Sequence, residues 1–448
     1  MNKKDIEGII SKIEKEDSIF AKKAILDPLS FPSKIIGREK QLEQLVRYLM
    51  GYRQGYVVPF VSVYGRSGSG KSIVVRFALE NIKEISHVFV NLRQAKTVFG
   101  AANLILSELG EPNLKSAQGI NRVIETIGST IESVLKKEDK QLYVLALDEF
   151  DMLFYDTRGR PSDFIYKLIV LGENLKKKGF LLCIMGISNN ILSEYDLDDR
   201  VRSRIGSYEI FFEPYSRSDV LSILKERAEE AFIKKIDDNI LEYCADLASE
   251  EHGDARRSVD LLRVAAEIAS SKKEKISKLH VDLAREELAK DRIKSVISSA
   301  SYHLRAAYAA LVRLAFMSDE DWHTTSEIYE KYCEIVSDGK KPLGYRRMSE
   351  LLTDLANSGL VSSQTISHGR KGYGNQYKLT ISPEMAGPAI SKQWWEQAVK
   401  NKIKQKEDEA LSDAMHNLDK MGLQSMFPKG LESLEARPAK LGKKNNIS

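Results

Sequence analysis

Cysteine is scarce in this chain. Cys183, Cys244 and Cys333 are the three in 448 residues, they lie far apart, and no C-x-x-C pair occurs. That excludes a disulfide framework and a cysteine zinc site, and reads as core thiols in a reducing compartment. The seven histidines are equally scattered, so no metal cluster is expected. Long apolar runs are missing too: FLLCIMGI, at Phe180–Ile187, is far too short to span a bilayer. The opening MNKKDIEGIISKIEKEDSIF alternates charge with apolar residues and has no small-residue cleavage site, so no signal peptide is expected. Charge of one sign is also lacking. The formal net charge is +4, which requires any basic surface to be local. A cytoplasmic protein with no membrane partner is expected.

What is present is periodicity of two kinds. From about Pro59 to Tyr215, short apolar runs alternate with amphipathic stretches: FVSVYG, HVFVNL, LYVLAL, FLLCIMGIS and YEIFFEPY. Runs apolar on both faces, separated by helical patterns, predict an α/β domain with a parallel sheet. From Ser216 to about Arg292 the strands stop, and SDVLSILKERAEEAFI and DARRSVDLLRVAAEIA carry helical spacing. From about Val296 three helical patterns precede VSSQTISHGRKGYGNQYKLT, an alternating segment with a glycine-rich tip. Three helices followed by a hairpin predict a winged helix-turn-helix. After Pro383 the chain turns polar, and a weakly ordered tail is expected, with one helix around ISKQWWEQAVKNKI. The divisions read as 1–17 N-terminal extension, 18–215 nucleotide-binding base, 216–292 helical lid, 293–382 winged helix and 383–448 tail.

GRSGSGKS, at Gly65–Ser72, lies between a strand pattern and a helix pattern, the context a phosphate-binding loop requires. Gly65, Arg66, Ser67, Gly68, Ser69 and Gly70 would turn main-chain N–H groups around phosphates, assisted by the helix N-terminus. Lys71 would reach the β- and γ-phosphates, and Ser72 would ligate Mg²⁺. LYVLALDEFD ends a buried strand on Asp148 and Glu149, placing two carboxylates at the carboxyl edge of the sheet. Asp148 suits a Mg²⁺ ligand, and Glu149 the base that orients water for attack on the γ-phosphate. Asn189, ending IMGISNN, is a candidate to position that water, and Arg256 or Arg257 to reach the phosphate from the helical domain. The cofactors expected are ATP or ADP and Mg²⁺.

These motifs, in order over roughly Ser18 to Leu379, resemble the AAA+ initiators of the origin recognition complex and cell-division-control type, especially the single-chain archaeal members. Ile36-Gly37-Arg38-Glu39 is similar to the family motif that packs near adenine, and DEFD to its Walker B form. GISNN resembles sensor 1 at Asn189, and GDARRSVDLLRVAAEIA resembles sensor 2, pointing to Arg256. LDDRVRSRIGSYEIFFEPYS resembles the segment whose arginine completes a neighbour's site, which implies Arg204 or Arg200. Hydrolysis by the isolated chain would then be slow, with ATP acting as a conformational switch.

In KKPLGYRRMSELLTDLANSG, Arg346 and Arg347 open the third helix, while His368, Arg370, Lys371 and Tyr373 surround the wing tip. Lys340–Leu379 holds seven basic side chains against two acidic ones, a local net of +5. A recognition helix flanked by such a wing fits duplex DNA, with Arg346, Arg347, Arg370, Lys371 and Tyr373 as contacts. The resemblance implies origin duplex DNA bound by the winged helix and the base, where Arg122 is a candidate. It also implies the replicative helicase, initiator paralogues or further copies of the chain as partners. The reading is therefore an ATP-dependent replication initiator that helps load the helicase, near the nucleoid. Two alternatives stand beside it: an ATP-switched winged-helix regulator, and an AAA+ protein remodeller, against which the lack of a pore-loop aromatic motif argues.

Overall fold

In a computed structural model the described residues are 19–27, 30–156, 158–205, 208–250, 254–318, 320–336, 341–367, 373–392, 394–404 and 407. The expected N-terminal extension, the wing-tip residues His368, Arg370 and Lys371, and the tail beyond 407 lie outside them. The chain divides into two compact units between Ala284 and Arg285.

The first unit is built on a parallel sheet of β1 (Phe60–Gly65), β2 (Ser86–Asn91), β3 (Leu142–Asp148), β4 (Leu181–Ser188) and β5 (Glu209–Phe212), in the order β2-β3-β4-β1-β5. Alternation along β3 shows why the strands read as apolar throughout. Tyr143, Leu145 and Leu147 enter the core shared with α3 (Val98–Glu108), α4 (Gly119–Glu138) and α5 (Pro161–Lys177), which follow α1 (Glu39–Met50) and α2 (Lys71–Asn81) in the chain. Leu142, Val144 and Ala146 face α1 and α2 on the other side. Helices on both faces leave neither face of β3 in water. β5 is shorter than the sequence pattern implies, because Phe212 lies opposite Gly65, where its partner β1 ends.

Register decides what the sheet presents. Asn91 lies beside Asp148, Leu147 beside Gly186 and Tyr64 beside Ser188, so β1 to β4 end within about a residue of one another at one carboxyl edge. After a short helix, α6 (Asp199–Ile205), and β5, the lid begins with α7 (Arg217–Ala231), α8 (Asp238–Glu250) and α9 (Ala255–Ser271). The first lid helix starts on a reciprocal cap between Ser216 and Asp219. Burial pushes the thiols of Cys183 and Cys244 up to about 12, which leaves both protonated and inert.

α10 (Lys278–Ser299) runs across the division into the second unit. There α11 (Tyr302–Met317), α12 (Thr325–Val336) and α13 (Tyr345–Asn357) pack around Tyr308, Tyr332, Met348 and Leu352. β7 (Val361–Ser367) and β8 (Tyr373–Leu379) form the antiparallel hairpin, with Val361 opposite Leu379 and Ser367 opposite Tyr373. A two-residue strand, β6 (His323–Thr324), adds a third strand beside β8 that the sequence pattern did not announce.

The expectation of a weakly ordered tail from 383 needs correction within the described residues. α14 (Pro383–Ile390) places Ala386 in the winged-helix core, whereas residues 394–404 are helical, as expected around ISKQWWEQAVKNKI. Trp395 lies against both Gly387 and the Phe316 ring, the latter at 4.5 Å between centroids. The apolar residues of an otherwise polar stretch are what anchor it. Among the described residues, no helix is long and apolar enough to cross a membrane.

Candidate functional site

The loop between β1 and α2 depends on glycine geometry. Gly65, Gly68 and Gly70 have φ of +147°, +81° and +92°, which side chains with a Cβ rarely adopt. A Cβ on Gly65 would lie 2.2 Å from the Phe212 carbonyl oxygen, and one on Gly68 would lie 2.1 Å from Asp254 Oδ1. Backbone and lid therefore press directly on this turn. Arg66 and Ser67 are exposed, whereas Ser69 is buried with its hydroxyl free of a hydrogen-bond partner among the described residues.

Lys71 opens α2 and is 6% exposed. Its Nζ donates to the carbonyls of Gly65 (2.6 Å) and Arg66 (2.9 Å) and to Asn189 Oδ1 (3.2 Å). Its pKa is lowered to about 8, chiefly by desolvation and then by the neighbouring charge of Arg256, against the raising effect of Asp148, Glu149 and Asp151. Ser72 Oγ donates to Asp148 Oδ1 at 3.0 Å. Burial raises the Asp148 pKa, partly offset by the Ser72 hydroxyl and the Glu149 N–H. Glu149 sits at φ +53°, a strained turn for a non-glycine residue, and Asn189 Nδ2 donates to its Oε2 at 3.3 Å. Asp151 is buried with Oδ1 unpartnered, and burial raises its pKa.

One bonded set thus joins Lys71, Ser72, Asp148, Glu149 and Asn189. Beside it, a cavity between the lead-in segment, the loop and the lid is lined by Ile35, Ile36, Gly68, Gly70, Tyr215 and Arg256, among others. Its isoleucines suit the flat face of a base. Asp254 caps α9, accepting from the N–H groups of Arg256 (3.0 Å) and Arg257 (3.4 Å), which sets Arg256 at the cavity. A buried lysine held by carbonyls, a half-buried carboxylate bonded to a hydroxyl, and a Ser69 hydroxyl and an Asp151 oxygen unpartnered among the described residues form a set that fits a magnesium nucleotide.

Arg200 and Arg204 stand outside this set. Both lie over the Tyr166 ring, at 4.9 and 5.3 Å from its centroid. Arg200 pairs with Asp198 at 2.7 Å and Arg204 with Glu173 at 3.5 Å. Sequence reasoning also passed over Arg38 and Tyr215 as individual residues, although Arg38 lies in the quoted Ile-Gly-Arg-Glu stretch. No periodicity marks a side chain whose partners are distant main-chain carbonyls.

In the second unit, Met348, Leu351, Leu352 and Leu355 of α13 point into the core. Arg346 and Arg347 are exposed on the opposite side, and both pair with Glu350. Tyr373 begins β8, and its side chain lies outside the described residues. Arg122 is exposed on α4 and pairs with Glu125 at 3.4 Å.

The level sheet edge, glycine turn, buried lysine, paired carboxylates and helical lid define a P-loop ATPase domain followed by a winged helix. Family models agree: an AAA ATPase domain matches residues 34–175, a Cdc6 AAA+ ATPase-type lid domain 221–286, and a CDC6 C-terminal winged helix domain 295–387. An ORC1-type DNA replication protein of Desulfurococcus amylolyticus is 32% identical over 378 residues, covering 82% of this chain and 93% of that one. ORC1-type DNA replication protein 1 of Aeropyrum pernix is 32% identical, covering 81% and 92%. The chain belongs to the family of ORC1-type DNA replication proteins. Among solved structures, the Aeropyrum pernix ORC1 protein in complex with DNA superposes with a TM-score of 0.68 at 29% identity, over 85% of this chain and 99% of that one. The Aeropyrum pernix ORC2 protein, with a TM-score of 0.58 at 19% identity over 86% and 100%, shares the fold.

Proposed function

We propose that this protein is a DNA replication initiator whose ATP-bound form binds origin duplex DNA, with slow ATP hydrolysis as its switch. The observation that carries the nucleotide half is the bonded set around Lys71. In this reading the loop N–H groups and Lys71 hold the phosphates, and Ile36 and Arg256 contribute to the nucleotide pocket. Glu149 takes the proton of the attacking water, and Asn189 holds Glu149 in place. Ser72 and Asp148 would hold Mg²⁺, which would supply neutralisation of charge on the phosphate oxygens. Arg204 or Arg200 acts on a neighbouring subunit's nucleotide, a role supported by their lying apart from their own chain's bonded set.

Duplex binding is supported by the exposed pair Arg346 and Arg347 at the start of α13 and by the solved DNA complex of the similar Aeropyrum pernix ORC1 protein. Arg370, Lys371 and Tyr373 extend that contact, and Arg122 adds one from the base. Loading of the replicative helicase, alone or with paralogues or further copies of the chain, is the step this binding serves. The test is footprinting on the surrounding chromosome with ATP, at about 150 mM salt and with excess competitor DNA, since affinity falls steeply with salt. Discrete protection is expected for the wild type. Uniform, salt-sensitive coating by wild type and the Arg346→Ala/Arg347→Ala variant alike would reject the reading.

A further inference from the structure

Arg38 is 4% exposed, and among the described residues it forms no ion pair. Its guanidinium is satisfied by main chain instead. Nε donates to the Ser69 carbonyl (2.9 Å), Nη1 to the Gly37 carbonyl (3.0 Å) and Nη2 to the Glu213 carbonyl (2.6 Å). The plane also lies over the Tyr215 ring, 3.7 Å from its centroid. A buried cation with no counter-charge is tolerated only where its acceptors stay fixed. Arginine's rigid fork suits that task, and a lysine cannot reproduce it.

The three carbonyls belong to three functional segments: the lead-in to α1, the phosphate loop, and the link Glu213–Ser216 that connects β5 to the first lid helix. Contacts on either side reinforce the junction. The Tyr215 hydroxyl would lie 2.3 Å from a Cβ on Gly70, so that ring rests on the loop. Asp219, which caps α7, would lie 2.7 Å from a Cβ on Gly37. Ser69 cannot turn its peptide to meet a phosphate without pulling on the guanidinium that also holds Glu213.

We propose that Arg38 is a positioning residue that makes the phosphate loop and the base–lid link move together, so that nucleotide occupancy sets lid position. This rests on the nucleotide reading above. Hydrogen–deuterium exchange on the full chain, with and without saturating ADP, tests it. In the wild type, ADP slows exchange both in peptides covering 66–72 and in those covering 213–220. Arg38→Lys keeps protection at 66–72 once saturated, loses most of it at 213–220, and weakens ADP binding about tenfold. Arg38→Ala abolishes protection at 213–220.

A residue that merely holds the fold together would lower the melting temperature yet leave both segments protected at saturation, and that result overturns the proposal. Should Arg38→Ala fail to fold, Tyr215→Leu decides by the same readout, because it removes the ring face and spares all three carbonyls. Its expected result is reduced protection at 213–220. Calorimetry separates the two levels. A wild type that binds no ADP rejects the nucleotide reading, whereas one that binds ADP but protects only 66–72 rejects the role of Arg38 alone.

Discussion

The chain holds its candidate phosphate-binding cations in two ways. Lys71 is 6% exposed, gripped by two carbonyls and an asparagine, and its pKa is lowered to about 8. Arg346 has a side chain 97% exposed and shares Glu350 with Arg347 in ion pairs of the weak surface kind. The first cation is already desolvated and aimed, so a phosphate meets it in one geometry. The second pair keeps its water and, under the proposed function, would swap a carboxylate for a phosphate with little rearrangement. Burial suits a reaction, where an atom must be held still. Exposure suits a polyanion, where affinity comes from released counterions and register can shift along the backbone.

The sharpest way to separate the two is to remove each chemistry in turn. Lys71→Ala is expected to weaken ADP binding at least about a hundredfold by calorimetry, while nucleotide-free binding to DNA is unchanged. Glu149→Gln should cut ATP turnover by about a hundredfold or more and leave ADP affinity near wild type. If Glu149→Gln weakened ADP binding as much as turnover, Glu149 would be a binding group and not the base.

Glycine substitutions carry the comparison into stability. Gly65→Ala meets the Phe212 carbonyl oxygen at 2.2 Å and a φ of +147°, so a loss of about 3 kcal/mol or more is expected in denaturant unfolding. Gly344, which precedes α13, has φ −67° and nothing within 4 Å of a new Cβ. Gly344→Ala should lose less than about 1 kcal/mol, mostly from a poorer helix cap. Equal losses would mean that the nucleotide loop is no more tightly determined than the surface helix.

The same contrast explains how much the sequence disclosed. Gly65–Ser72, the strand ending in Asp148 and Glu149, and Asn189 are legible because fixed residue types at fixed spacing recur wherever a sheet edge meets a phosphate. The structure joins Lys71, Ser72, Asp148, Glu149 and Asn189 by hydrogen bonds. The three helices and hairpin of the second unit were legible for the same reason, through periodicity. Arg38 and Tyr215 were not. Their partners lie 31 and 175 residues from Arg38 along the chain, and acceptors that are backbone carbonyls carry no residue signature. The helix around ISKQWWEQAVKNKI was legible, but not its anchoring, because nothing in the pattern pairs Ala386 with the winged-helix core or Trp395 with Phe316.

On the exposed side, Arg346→Ala/Arg347→Ala should weaken duplex binding about ten- to a hundredfold and lower the salt slope by about 2, one unit per phosphate contact. The melting temperature should not move, because neither side chain is packed. A variant that lost DNA affinity together with thermal stability would show that this face is structural.

The smallest effect is a fraction of a proton, and it belongs to Lys71 alone. Its folded pKa, about 8, lies below the ordinary 10.5 because burial disfavours the charged form. Between those values the unfolded chain holds a proton that the folded one lacks, so stability without nucleotide should rise as pH climbs from 8 towards 10.5. A phosphate beside Nζ restores the charged form and raises the pKa. ADP binding at pH 8 without added Mg²⁺ should therefore take up about half a proton, and at pH 7 about a tenth. Calorimetry in buffers of different ionisation enthalpy measures this directly. The hydrogen bond to Glu350 raises the Arg347 pKa, so DNA binding should take up no proton through that side chain. Proton uptake on ADP binding that persists in Lys71→Met would assign it to another group and remove the electrostatic distinction between the two phosphate sites.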